Sequence, residues 1–354
     1  MKEKEMIQAL SNAFGPSGFE DDVIEVAKIY CPSNVTYKKD TMQNFYMYRN
    51  QYAGGVKIHL DAHGDEVGFI VQAIAPNGLL RFLPLGGWDL KNIVSNQVLI
   101  KNLEGKLIKG IVCSKPPHFM DANEKGKALD ISSLFIDIGA TDAQEVEEIF
   151  RIGIGSPIVP ATKCEYDEAS KLFCGKAFDC RIGCAALLQV LQELEEEELQ
   201  QKVSATITAQ EEVGERGMMC AIQQIDADLM ICFEGCPADD TFQEPYMVQS
   251  ALKKGPMLRH FDVSMITHPK FQRFALDIAK KYHIPVQESV RKGGGTNGGI
   301  SHVHNIPTIV IGIPTRYAHA SYGYVSYEDY RHAVELAKCI IKECTKEVYK
   351  KIKN

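Results

Sequence analysis

Residues 67 to 162 interrupt the pattern of the rest of the chain, and this interruption constrains the fold more than any other feature. The interval contains short β-prone segments such as FIVQAI (69–74) and GKLIKGIVCS (105–114), separated by turns that contain glycine, asparagine and proline. Short strands with such turns between them are typical of small all-β units. We therefore predict a small β-barrel or β-sandwich here, with one helix over residues 141–151 inside it.

Strands alternate with helices on both sides of this interval. The apolar segments VKIHL (56–60), VSATITA (203–209) and TIVIGI (308–313) predict strands, and the stretch from 327 to 350 predicts one long closing helix. This alternation favours a mixed α/β sheet with helices on both faces. A chain of 354 residues corresponds to about two domains. We therefore predict an α/β domain formed by residues 1–66 and 163–354, into which residues 67–162 are inserted.

The charge and the apolar content exclude several classes of protein. Lys and Arg together number 39 and Asp and Glu 46, so the net charge is −7 and no basic excess favours nucleic acid or an anionic membrane as partner. A local basic patch near Arg291 and Lys292 stays open. No apolar run reaches the roughly 20 residues of a membrane span.

The N-terminal segment lacks the apolar core of a secretion signal, so we expect the 11 cysteines to be free thiols in a reducing cytoplasm.

Residues of the kind that bind metals follow the predicted strands. Because sites in open α/β sheets form outside the carboxyl ends of the strands, these residues are expected to meet in one crevice. The residues are His63 and Asp65 after one strand, Asp179 just ahead of a helix, Glu211 and Glu212 after the second strand, Glu234 after a third, and His319 after the last.

Two histidines and three carboxylates suit a pair of divalent ions such as zinc or cobalt that share one carboxylate. Metal coordination makes hydroxide available at neutral pH, and a further carboxylate that binds no metal is needed as general base. The adjacent pair Glu211 and Glu212 can divide these two tasks. Each residue taken singly is better explained as a surface or hydrogen-bonded polar residue, and the chain has no HExxH motif.

Several motifs, in order along nearly the whole chain, resemble the glutamyl aminopeptidase and tetrahedral aminopeptidase family, metallopeptidase family 42. They are GPSGFE (15–20), HGDEVGF (63–69), IVCSKPPH (111–118), LFIDIGA (134–140), GKAFDCRIG (175–183), QEEVGERG (210–217), GGGTNG (293–298) and IGIPTRYAH (311–319). The resemblance implies a zinc-aminopeptidase-like catalytic domain with two metal ions and an inserted β-rich domain that mediates dimerisation. It also implies a homo-oligomer, either a dimer or a dodecamer built from dimers.

The resemblance also implies a role for each candidate residue. His63 and Glu234 correspond to ligands of the first metal, with Asp65 orienting His63. Asp179 corresponds to the ligand shared by both metals. Glu212 and His319 correspond to ligands of the second metal, and Glu211 to the general base. The implied enzyme is a cytoplasmic aminopeptidase that cleaves N-terminal residues from short peptides.

The chain departs from the family's usual pattern at a few positions. Cys180 stands where an Asp or Asn commonly follows the shared ligand, and Glu234 stands where Asp is common. Asn297 replaces an Asp near the expected substrate region, and Ala320 follows His319 where another residue is usual. Two alternatives stay open: a metal-dependent hydrolase of another amide, such as a deacylase, and a retired scaffold without activity. We interpret Gly293–Gly295 as a turn beside the site, because it lacks the ending of a phosphate-binding loop.

Overall fold

The computed structural model of the chain describes residues 2–50, 54–121 and 129–354. None of the helices in these ranges is long and apolar enough to cross a membrane. The α-helices are α1 (Lys2–Asn12), α2 (Asp21–Tyr30), α3 (Ala143–Glu148), α4 (Phe178–Glu193), α5 (Arg216–Ala221), α6 (Pro269–Lys281), α7 (Asn297–Val303), α8 (Tyr327–Glu343) and α9 (Lys346–Lys353).

The strands divide between one large sheet and one closed barrel. In chain order they are β1 (Val35–Lys39), β2 (Phe45–Arg49), β3 (Lys57–His63), β4 (Gly68–Ile74), β5 (Leu80–Leu85), β6 (Gln97–Lys101), β7 (Leu107–Cys113), β8 (Phe135–Asp137), β9 (Pro157–Pro160), β10 (Glu165–Asp167), β11 (Leu172–Gly175), β12 (Lys202–Thr208), β13 (Leu229–Pro237), β14 (Met257–Phe261), β15 (Gln287–Val290), β16 (Thr308–Arg316) and β17 (Gly323–Ser326).

Four parallel strands form the centre of the eleven-stranded sheet, in the order β12, β3, β13 and β16. Their residues are almost all buried, as expected when helices cover both faces of a parallel sheet. The register pairs Thr208 at the end of β12 with His63 at the end of β3, so the carboxyl ends lie at one edge. The predicted mixed α/β sheet flanked by helices is confirmed.

The barrel closes in the order β4, β5, β8, β7, β6 and β9, with antiparallel pairing throughout. It has its own apolar core, in which Phe69, Leu80, Ile100, Ile136 and Ile158 are buried. The predicted β-rich segment therefore contains a closed barrel rather than a sandwich. Residues 122–128 of that segment lie outside the described ranges.

Two predicted helices differ from those observed. Within the β-rich segment, α3 covers Ala143–Glu148 only, instead of the whole of 141–151. The single closing helix predicted over 327–350 is wrong, because α8 ends at Glu343 and α9 begins at Lys346. Cys344 between them has a non-helical ψ of 77°, and the Thr345 side chain accepts a hydrogen bond from the amide of Val348. This bond caps a new helix.

Candidate metal centre

The carboxyl edge of the central strands brings the predicted site residues together. His63 is the last residue of β3, and Glu234 lies near the end of the neighbouring parallel strand β13. The others come from the connections: Asp179 lies in the first turn of α4, Glu211 and Glu212 follow β12, and His319 follows β16. All seven candidates, Asp65 included, therefore lie together at the carboxyl edge of the central strands. Parallel strands favour a site at this edge.

Three of these residues form a first ligand group: His63, Asp179 and Glu234. The Nε2 atom of His63 lies 3.1 Å from Asp179 Oδ1 and 3.3 Å from Glu234 Oε1. The thiol of Cys180 also comes within 4.8 Å of these ligand atoms. Its sulfur, however, donates to the main-chain carbonyl of Phe233 at 3.3 Å, and burial raises its pKa well above the usual range. Cys180 is therefore a neutral thiol held by the sheet.

Asp179, Glu212 and His319 form a second ligand group. His319 Nε2 lies 3.5 Å from Asp179 Oδ2 and 3.2 Å from Glu212 Oε2. Asp179 belongs to both groups, with Oδ1 facing His63 and Oδ2 facing His319. One carboxylate thus joins two sets of three ligands.

The donor atoms of both groups fit divalent ions. Ligands about 2.0–2.2 Å from zinc in a tetrahedron lie roughly 3.3–3.6 Å from one another. The spacings within the two groups, from 3.1 to 3.5 Å, are close to these values. Within the described part of the chain, the buried Oε1 atom of Glu212 has no hydrogen-bond partner. Buried carboxylate oxygens without donors are costly unless a cation satisfies them.

Asp65 is fully buried and organises the first group from behind. Its carboxylate accepts hydrogen bonds from Ser17 Oγ at 2.6 Å and from the amides of Glu211 and Glu212 at 3.0 and 3.1 Å. His63 Nδ1 lies 3.3 Å from Asp65 Oδ1 and 3.2 Å from its carbonyl oxygen. These contacts orient the ring so that Nε2 faces Asp179 and Glu234. A carboxylate behind a histidine ligand has this effect in metal sites generally.

Glu211 stands beside the two groups without belonging to either. Its Oε2 lies 3.8 Å from His63 Nε2, beyond hydrogen-bond distance, and its side chain is 12% exposed. Burial raises the pKa of Glu211 well above its usual range, and the nearby charges of Glu234 and Glu212 add to this effect. A carboxyl group with a raised pKa close to a metal centre can accept and return a proton near neutral pH.

The centre concentrates carboxyl groups, and their mutual proximity shifts the pKa values of its residues. Burial raises the pKa of Asp179, but hydrogen bonds with His319 and His63 outweigh it and hold that pKa well below the usual range. Burial lowers the pKa of His63, and the surrounding carboxylates, above all Glu211, reverse this and raise it well above the usual range. Burial and the charge of Asp179 raise the pKa of Glu212 to about 8. Divalent ions would favour the ionised form of all these carboxylates.

Asn297 lies beneath the centre. Its side chain is buried, and its Nδ2 donates to Asp61 Oδ2 at 2.8 Å and to Thr208 Oγ1 at 2.7 Å. Its side chain thus links the start of α7 to β3 and to the end of β12, and the expectation that it lies near the substrate stays a prediction. No periodicity or motif spacing in the sequence indicates this inward orientation.

A cavity of about 360 Å³ opens beside the centre, a volume within the range of ligand sites. Four members of the ligand groups line one part of it, namely Asp179, Glu212, Glu234 and His319, and Gly293–Gly295 contribute to another, so the glycine run does lie beside the site. Arg259 and Arg291 also line the cavity. The sequence signals Arg291 through the basic pair with Lys292, whereas nothing in the sequence points to Arg259.

Comparison with known proteins gives a consistent picture. A sequence profile of the M42 glutamyl aminopeptidase family matches residues 43–336. The putative aminopeptidase FrvX of Escherichia coli is 31% identical over 97% of this chain and 96% of its own length. The glutamyl aminopeptidase of Lactococcus lactis is 30% identical over 98% of each chain. The lysyl aminopeptidase of Pyrococcus furiosus is 28% identical over 97% of this chain and 98% of its own.

Solved structures agree over the full length. The TET aminopeptidase of the marine sediment archaeon Thaumarchaeota archaeon SCGC AB-539-E09 superposes with a TM-score of 0.94 at 34% identity, covering 99% of this chain and 100% of that one. The TET1 peptidase of Pyrococcus horikoshii, which can assemble into a tetrahedron or a large octahedral shell, superposes with a TM-score of 0.87 at 25% identity. That match covers 97% of this chain and 100% of the Pyrococcus chain.

Proposed function

Because the chain belongs to the M42 glutamyl aminopeptidase family, we propose that it removes N-terminal residues from short peptides with two divalent metal ions bound per chain. Membership makes the protein a peptidase, that is, a hydrolase of peptide bonds. The observation that carries the two-ion assignment is the position of Asp179, whose two carboxylate oxygens face different histidines. A carboxylate between two such groups is the usual way to bridge paired ions.

The ligand assignment follows the two groups. His63, Glu234 and Asp179 would hold the first ion, and Asp179, Glu212 and His319 the second. The donor set of imidazole nitrogen and carboxylate oxygen suits zinc or cobalt.

When bound, the two ions supply Lewis acidity and a nucleophilic water at neutral pH. Glu211 would take a proton from the attacking water and return it to the leaving amine, since it stands beside both ligand groups and belongs to neither. Asp65 keeps His63 oriented and fixes the main chain of Glu211 through its amide. The cavity beside the centre receives the N-terminal side chain.

The test combines metal content with substrate form. We expect two ions per chain by elemental analysis after reconstitution with zinc or cobalt. We also expect hydrolysis of aminoacyl p-nitroanilides with a free amino group, and none of the N-acetylated forms. Release of acetate from the N-acetylated forms, with no hydrolysis of the anilide bond of the free forms, would indicate the alternative deacylase. A chain that holds fewer than two ions and cleaves neither form would be the retired scaffold.

Substitution of Glu211 separates catalysis from metal binding. Glu211→Gln should keep both ions and lower kcat by roughly 100-fold or more, because it removes the proton acceptor. His63→Ala should instead lower the metal content. The matched control is Glu196→Gln at an exposed glutamate, which should change neither quantity. Full activity of Glu211→Gln would refute the base assignment.

The assembly and the location of the protein are part of the same proposal. Residues 67–162 would mediate dimerisation, and the particle would be a homo-oligomer, either a dimer or a dodecamer built from dimers. Large apolar side chains exposed on the barrel segment support this, among them Leu103, Ile149 and Ile154 at 70%, 72% and 75% exposure. The 11 cysteines are all free, which agrees with a cytoplasmic enzyme. Light scattering coupled to size exclusion measures the assembly directly.

A further inference from the structure

The proposed function places the N-terminal residue of the peptide in the cavity and leaves open what the following residue contacts. The centre is open to solvent at its second ligand group, where the side chain of His319 is 40% exposed, whereas that of His63 in the first group is only 2% exposed. A peptide that enters from solvent therefore passes His319, and the residue after the scissile bond stays on that side.

The second ligand group separates two spaces. Asp179, Glu212 and His319 line the cavity of about 360 Å³, and they also line a narrow recess of about 20 Å³, to which Tyr317 contributes. A volume of about 20 Å³ holds about one water molecule and no side chain. The residue after the scissile bond would therefore lie over the recess, against the half-exposed ring of Tyr317.

Tyr317 has an unusual backbone conformation. It directly follows β16 and precedes the proposed ligand His319 by two residues. Its φ is 62°, in the left-handed region that bulky residues rarely adopt, and His319 has a φ of 59°. Conformations of this kind collect at functional sites, where the surrounding contacts hold them. The backbone thus places the ring of Tyr317 beside the centre against its local preference.

The ring of Phe242 extends this surface from the loop that follows β13. It lies edge-on to the ring of Tyr317, with the two ring centroids 6.5 Å apart and an interplanar angle of 69°. Phe242 is nevertheless 81% exposed. A ring exposed to this extent has most of its apolar surface available to a ligand.

The loop that carries Phe242 is tied to the end of β16. The carboxylate of Asp240 accepts hydrogen bonds from Arg316 Nε at 2.9 Å and Nη2 at 2.6 Å, and the amide of Asp239 donates to the carbonyl oxygen of Ser250 at 2.9 Å. A bidentate pair fixes geometry as well as charge. Because Arg316 immediately precedes Tyr317, the same pair fixes the two rings relative to each other. A ligand therefore need not order this aromatic surface on binding.

We infer that Phe242 and Tyr317 bind the residue that follows the scissile bond and favour peptides in which that residue is apolar or aromatic. This inference rests on the proposed function for the position of the scissile bond. Aromatic rings bind apolar and aromatic side chains with their faces and edges, whereas glycine has no side chain to bury there. The preference concerns the leaving side of the peptide and is independent of the side chain that the cavity accepts.

The kinetic test varies the second residue of dipeptide amides X-Phe-amide and X-Gly-amide, with X taken in turn as glutamate, lysine and leucine. For the metal-loaded enzyme, kcat/KM should be about 5- to 30-fold higher for the Phe amide with each X that is cleaved. Phe242→Ala should remove most of this ratio, and Phe242→Leu should keep part of it because leucine restores apolar surface. The matched control is Tyr246→Ala, at an aromatic residue of the same loop that is 85% exposed and makes no contact with the Tyr317 ring. It should preserve the ratio.

A binding measurement keeps this inference separate from the proposed reaction. Calorimetric titration of metal-loaded Glu211→Gln should show tighter binding of X-Phe-amide than of X-Gly-amide, and the added Phe242→Ala should abolish the difference. Equal binding and equal kcat/KM for the two amides would overturn the inference even if both are cleaved. Selective binding of the Phe amide without any hydrolysis would support it while refuting the proposed function.

A second copy of the chain is the other occupant that exposed rings could have. Size exclusion coupled to light scattering separates this case, because Phe242→Ala should leave the particle mass unchanged if the ring binds substrate. A lower mass for Phe242→Ala than for the wild type and Tyr246→Ala would assign the ring to a contact between copies. That result would overturn the inference whatever the substrate ratio.

Discussion

Replacing Asp65 with asparagine tests whether the buried carboxylate behind His63 holds the centre together. The carboxylate accepts three hydrogen bonds, from Ser17 Oγ and from the amides of Glu211 and Glu212, and its Oδ1 lies 3.3 Å from His63 Nδ1. An asparagine has one acceptor oxygen and one NH₂ donor. Whichever way the amide is oriented, its NH₂ group must face at least one donor.

The expected loss follows from these contacts. The loss of one hydrogen bond to a charged acceptor lowers the free energy of unfolding by about 1.5–3 kcal/mol. The remaining hydrogen bonds weaken because the acceptor becomes neutral. We therefore expect Asp65→Asn to lower the free energy of unfolding by about 2–4 kcal/mol. The affinity for the first metal should fall by about 10- to 100-fold, because the ring of His63 loses its orienting carboxylate.

The assay combines urea unfolding of the metal-free chain with a competitive zinc titration. Ser17→Ala is the matched variant: it removes one of the three bonds, keeps the carboxylate, and should cost about 1–2 kcal/mol with little change in zinc affinity. If Asp65→Asn matched Ser17→Ala in both measurements, the carboxylate would not orient the histidine and the argument would fail.

Two further substitutions test the support of the centre. Gly235→Ala should lower metal content and activity together, because an added Cβ would lie 2.6 Å from the Cα of Asp179; elemental analysis of the folded variant checks this. For Glu20, burial and the charge of Asp65 raise the pKa from 4.5 to about 7, so the folded chain holds a proton that the unfolded chain releases. Wild-type stability should therefore fall as the pH rises from about 4.5 to 7. Urea unfolding at pH 5 and at pH 8 measures this fall, and Glu20→Gln should make it smaller by roughly 1–3 kcal/mol.

The parts of the fold that sequence patterns predicted are those with strong local signals. The central strands are buried on both faces, so β3, β12 and β16 appear in the sequence as apolar, β-branched runs. The strand ends then locate the candidate residues, since parallel strands deliver their carboxyl ends to one edge. The flanking ribbon of β1 and β2 was missed because β1 is exposed along most of its length and lacks an apolar run.

Other features depend on contacts between distant segments and leave no local trace. Ser17 lies in a recognisable GPSG turn, yet its bond to Asp65 spans 48 residues. Arg259 reaches the cavity from a short strand at the side of the sheet, and only the packing of β14 against β16 brings it there. The break between α8 and α9 depends on the Thr345 cap, a single residue within an otherwise helical pattern.

Two of the departures, those that supply no proposed ligand and are buried, have one physical effect in common. Cys180 and Asn297 are both buried and neutral, and the resemblance to the family implies that a carboxylate is common at each position. The thiol donates to the carbonyl of Phe233, and the amide donates to Asp61, whose own pKa burial raises to about 7. A carboxylate at either position would add charge to a layer that already crowds Asp61, Asp65 and the ligands, and burying an unpaired charge costs several kcal/mol. The neutral residues at 180 and 297 therefore avoid added repulsion beneath the centre, and neither is one of the five proposed ligands.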